Sequence, residues 1–88
     1  MPVISMFYGI IVHMYSESGG RHKKPHIHCT YGGEEAVFDF DGFILEGELP
    51  ANKVRLVEAW IELHKDELYA DWELLSKGEQ HFRISPLK

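Results

Sequence analysis

Eighty-eight residues hold one domain with one modest core, and they leave no room for an enclosed pocket around a large cofactor. A hydrophobic share of 44% with eleven aromatic side chains (five Phe, four Tyr and two Trp) excludes a disordered chain. The net charge of −5, with three basic against seven acidic residues in 1–50, excludes the broad basic stripe of a non-specific nucleic-acid binder.

The apolar period changes once, at Pro50: it is two before that residue and helical after it. Phe7 to Tyr15 reads as a first strand, with Ile10, Val12 and Met14 on one face and Ile11, His13 and Tyr15 on the other. Residues 16–20 are a loop by composition, prolonged by the basic run Arg21-His22-Lys23-Lys24 to Pro25. His26 to Tyr31 is a second strand, and Gly32-Gly33 is a tight turn into a third strand, Glu34 to Phe40. Asp41-Gly42 is read as another turn, and Phe43 to Leu49 as a fourth strand.

After Pro50, Val54, Val57, Trp60, Ile61, His64, Leu68, Trp72 and Leu75 recur at spacings of three and four. A single helix over 51–77 would run about 40 Å, long for so small a domain. The reading therefore breaks it near His64–Glu67, with Asp66 as a cap and Gly78 as the stop. Phe82-Arg83-Ile84 is read as a short closing strand. The expected fold is α+β: a small antiparallel meander of three or four strands with two helices packed on one face.

The Gly32-Gly33 turn also sets a register, pairing Tyr31 with Glu34 and, further back, His28 with Val37 and His26 with Asp39. Alternation then places Ile27, Cys29, Ala36, Phe38 and Phe40 on the core face, and His26, His28, Thr30, Glu35, Val37 and Asp39 on the other. His13 joins the second group if the first strand pairs beside the second. His26, His28, Asp39 and His13 thus form the candidate functional surface. His–carboxylate pairs raise imidazole pKa values, and the same donors suit zinc, manganese or iron. If a metal binds, its ligands are expected to be His26, His28 and Asp39; no cofactor is the first expectation and a divalent transition metal the alternative. Arg21, Lys23 and Lys24 are the candidate anion contact. No catalytic residue is assigned.

Other conspicuous residues read as structural. Cys29 lies on the core face, and one cysteine allows no internal disulfide, which suits a cytoplasmic setting. Trp60, Trp72 and His64 lie along the helical stripe, and Glu58 and Glu62 on a solvated face. No apolar run approaches the roughly 20 residues that span a bilayer, so a membrane partner is not expected. Phosphate-loop, zinc-protease, Cys-x-x-Cys and nucleophile-elbow patterns are absent.

Several motifs resemble those of the DUF4160 family of small bacterial proteins. They are Pro2-x-Ile4-Ser5-x-Phe7-x-Gly9-Ile10-x-Val12-x-Met14-Tyr15, the box Pro25-His26-Ile27-His28 followed by Tyr31-Gly32, Glu46-Gly47-x-Leu49-Pro50, Trp60-x-x-x-His64 and Trp72-Glu73. The resemblance covers nearly the whole chain and implies one domain over 1–88. Lys23-Lys24 departs from it, since members commonly carry an aspartate-like or His-rich approach and a second proline there. It also implies a cytoplasmic protein often encoded beside another small protein, in pairs of a toxin–antitoxin-like kind. The expected function is accordingly a protein-binding or regulatory module, with another small protein or a second copy as partner. The alternative is a small metal-dependent hydrolase or nuclease centred on His26, His28 and Asp39.

Overall fold

A computed structural model describes residues 3–15 and 24–88. It has five strands, β1 (Val3–Phe7), β2 (Ile10–His13), β3 (His26–Tyr31), β4 (Glu34–Asp39) and β5 (Ile44–Gly47), followed by one helix, α1 (Ala51–Ser76). The sheet is a pure meander in the order β1-β2-β3-β4-β5, antiparallel throughout. Two expectations are thereby corrected: among the described residues there are five strands rather than three or four, and one helix rather than two.

The fifth strand is β1, which lies ahead of the run read as the first strand and overlaps it only at Phe7, with a turn dividing it from β2. Tyr8 and Gly9 both take positive φ, 49° and 81°, and fold the chain between Phe7 and Ile10. Left-handed backbone costs a residue with a side chain about 1–2 kcal/mol, so a tyrosine there carries no turn signal in the sequence. Gly32 and Gly33, at φ 54° and 86°, make the expected turn between β3 and β4.

The helix does not stop where a second was expected to start. His64 leaves helical geometry (φ −120°, ψ 23°), and the chain kinks there and continues to Ser76. Within the kink, His64 Nδ1 lies 2.6 Å from Glu67 Oε1 and the His64 ring packs 5.6 Å from that of Trp60. One bent helix thus follows the small sheet where a straight one would overshoot it. Phe82–Ile84 is not a strand either. It belongs to an extended segment held by Phe82 N–H to Asp71 Oδ1, Ile84 N–H to the Ile4 carbonyl, and Trp60 Nε1–H to the Ser85 carbonyl.

The core lies between the helix and one sheet face. Ile10, Val12, Met14, Ile27, Cys29, Ala36, Phe38 and Phe40 meet Val57, Trp60, Ile61 and Leu68 there, and Ile4, Phe7, Leu49 and Ile84 close its margins. Burial pushes the Cys29 thiol well above its ordinary pKa, so it stays protonated and inert. Among the described residues, no helix is long and apolar enough to cross a membrane.

Candidate functional site

The β3–β4 register is the one set by the glycine turn: His26 opposes Asp39, His28 opposes Val37, and Thr30 opposes Glu35. On the other side His13 opposes His28. A row across the sheet therefore runs His13, His28, Val37, Glu46, through β2, β3, β4 and β5.

This face is not an open surface at its His26 end. His26 is fully buried and its ring packs 5.2 Å from that of Trp72, while Asp39 retains 3% exposure. The expectation of an exposed His26–His28–Asp39 cluster away from the helix is corrected accordingly. Beyond its kink, α1 carries Trp72 to the end of the sheet, where it meets Phe40 as well as His26. Rings continue along the face from His26 to His28 at 5.2 Å, from His28 to Tyr15 at 4.5 Å, and from Tyr15 to His13 at 6.3 Å.

Several polar groups of this face are engaged. His26 Nδ1 is 2.6 Å from the Lys24 carbonyl, an acceptor, so that nitrogen carries a proton and donates it. His28 Nδ1 lies 3.4 Å from Glu35 Oε2. Asp39 Oδ1 accepts from the backbone N–H groups of Asp41 and Phe43, and Oδ2 faces Lys24 Nζ at 3.3 Å. Burial alone would raise the Asp39 pKa; the Phe43 and Asp41 N–H groups and the Lys24 ammonium outweigh it and hold it below the usual value. At His13, burial is the main cause of a lowered pKa: Glu35 opposes it, while His28 adds to it.

Asp39 is therefore the organiser of the β4–β5 turn, with both carboxylate oxygens committed. Asp39→Ala is expected to cost about 1–3 kcal/mol, because it strands two backbone donors. A carboxyl with a depressed folded pKa stabilises the fold above its unfolded value of about 3.9 and loses that contribution as pH falls through the folded value. Urea denaturation at pH 7 and again near pH 3 should show the gap between wild type and Asp39→Ala narrowing in acid. A pH-independent gap would remove Asp39 from the turn.

Among the described residues, no group of three or more His, Cys, Asp or Glu side chains is placed to hold a metal ion. His26, His28 and Asp39, the expected ligands, instead make the contacts above. Of the proposed anion contacts, Lys24 pairs with Asp39, while Arg21 and Lys23 lie outside the described residues.

Sequence reasoning named no residue at the exposed end of the sheet. Among the described residues no strand lies beyond β5, and its residues are exposed or half-buried on both faces. Phe43 retains 68% of its surface and Ile44 41%. Phe43-Ile44-Leu45 is an unbroken apolar run where a half-buried strand would alternate, and that was the available signal.

Residues 9–73 match the family model described as Domain of unknown function (DUF4160). Among curated proteins and among solved structures, none matches the chain.

Proposed function

The chain belongs to the DUF4160 family, and we propose that this member is a protein-binding, regulatory module that receives a segment of a second small protein along β5. The observation that carries this reading is the inequality of the two sheet edges. Beside β1, the extended C-terminal segment donates Ile84 N–H to the Ile4 carbonyl and buries Ile84. Beside β5, no described residue does the equivalent. An uncovered edge bearing apolar side chains is an adhesive surface that proteins ordinarily blunt with charge, proline or a covering segment. Strand addition uses such an edge, main-chain hydrogen bonds supplying affinity and alternate side chains specificity.

The acidic balance argues for a different chain as occupant, since two copies at −5 each repel. A pair of small proteins in which one is restrained by the other, of toxin–antitoxin type, fits a module of this size and charge.

Phe43→Lys and Ile44→Lys put charge on the edge at exposed positions and should change stability by no more than about 0.5 kcal/mol. Affinity capture of each from native cells, beside wild type with matched melting curves, tests the reading. A small protein retained by wild type and lost from both variants is expected. Retention by both would exclude β5 as the docking edge.

A further inference from the structure

The β5 edge is uneven along its length, and the unevenness specifies what can lie on it. At its start stand Phe43 and Ile44, both exposed and apolar. At its end come Glu46 and Glu48, and the Glu48 N–H bonds the Glu35 carbonyl, which brings the start of β4, Glu34-Glu35, alongside. Glu34 and Glu48 are exposed residues, as are Glu35, which faces His28 at 3.4 Å, and Glu46, which is likewise engaged. Residues 41–50 contain no Lys, Arg or His at all. At the apolar end Lys65 of α1 is engaged at 2.6 Å by Asp41, in the turn before β5, and nearer the acidic end Lys53 bonds the Tyr8 carbonyl and lies over the ring of Tyr31, which opposes Glu34. One end of the edge is thus apolar and the other negative.

Every neighbouring pair in this sheet is antiparallel, and antiparallel pairing is slightly the more stable per residue. A strand added in that sense begins opposite Gly47–Glu48 and ends opposite Phe43–Ile44. We infer that the partner segment is an extended strand with Lys or Arg at its start and apolar residues following, so that positive charge meets Glu48 and its neighbours while the apolar part covers Phe43 and Ile44. This inference rests on β5 being the docking edge. A second copy paired antiparallel through the same strand would set each acidic end against the other's Phe43 and Ile44, where it meets no opposite charge.

Isotope-labelled protein titrated with short amide-capped peptides, followed by backbone amide NMR, tests it. The first peptide has lysines followed by alternating valine and threonine, and the second has that order reversed. The third replaces lysine with glutamate, and the fourth carries no charge. The lysine-first peptide should perturb amides centred on Ile44–Gly47 and bind about tenfold tighter than the glutamate peptide at low salt. The reversed peptide should fall between them, and the advantage should shrink at high ionic strength. Glu48→Lys should reduce the preference and strengthen binding of the glutamate peptide.

Equal affinities for all four peptides at β5 would overturn the basic-partner inference and leave β5 standing as the docking edge. Absence of β5 perturbation with every peptide would overturn both. Sedimentation of the protein alone, showing a dimer abolished by Phe43→Lys, would assign the edge to a second copy and likewise overturn the inference.

Discussion

Trp60→Ala is expected to cost about 3–5 kcal/mol, the range for emptying a fully buried large aromatic site. Trp60 has no exposed surface, packs 5.3 Å from the Phe7 ring, and donates Nε1–H to the Ser85 carbonyl at 2.8 Å. It therefore joins the helix to β1 on one side and to the C-terminal segment on the other. At roughly 0.05–0.15 kcal/mol per residue, a chain of this length has a total stability of about 4–13 kcal/mol. The substitution removes a large share of that and should lower Tm by about 15–30 °C. Trp60→Phe refills most of the volume but leaves the Ser85 carbonyl without its donor, so it should fall between wild type and Trp60→Ala. Thermal unfolding followed by circular dichroism measures all three. A Tm for Trp60→Ala within a few degrees of wild type would contradict the packing described.

The second large effect is expected at Gly47, where two costs coincide. Its φ is +79°, and a Cβ built there would stand 2.2 Å from the Glu35 carbonyl oxygen and 3.1 Å from Ala36 Cα. Those are backbone atoms of β4, so no side chain can swing aside to relieve the contact. Gly47→Ala must therefore push β5 from β4 or distort their pairing, whose register shifts between Val37 and Phe38, at a cost of about 2–4 kcal/mol. Hydrogen exchange gives the sharper readout. Amides protected by the β4–β5 ladder should exchange faster in Gly47→Ala, while those of the β2–β3 ladder should keep protection in proportion to global stability. Unchanged protection at β5 would show that the strand tolerates the added carbon. Gly47→Asn tests the conformational part, since asparagine tolerates positive φ but still carries a Cβ. It should be nearly as damaging as alanine.

The sheet interior was legible in the sequence because two local signals agreed. Gly32-Gly33 demanded a turn, and alternation on either side allowed one register, so the pairing of His26 with Asp39 followed from chain geometry. Burial did not follow from it. Alternation sorts side chains by face, but it does not say what covers a face. The outward His26 is buried because Trp72 reaches it from beyond a helix kink, and Val37 on the same face is buried as well. A kink in place of a break was likewise hidden, since His64 bends the chain without Gly or Pro. The Tyr8–Gly9 turn hid behind an apolar run and a tyrosine in a conformation tyrosines avoid. The family resemblance named the kind of protein and left the chemistry of its faces to be read from the structure.

The C-terminal segment has a consequence for when the protein can fold. Each strand of the meander pairs with one made just before it, so the sheet can grow in the order of synthesis, with little loop entropy at each step. Two groups beside β1 must wait. The Ile4 carbonyl and the Trp60 indole find their partners only when residues 84 and 85 have left the ribosome. Until then β1 is as open as β5, and the nascent sheet has two adhesive edges in place of one. A ribosome paused before Ile84 would thus hold a species more prone to aggregate than one that has passed it, and the emergence of residues 84 and 85 is what closes one side.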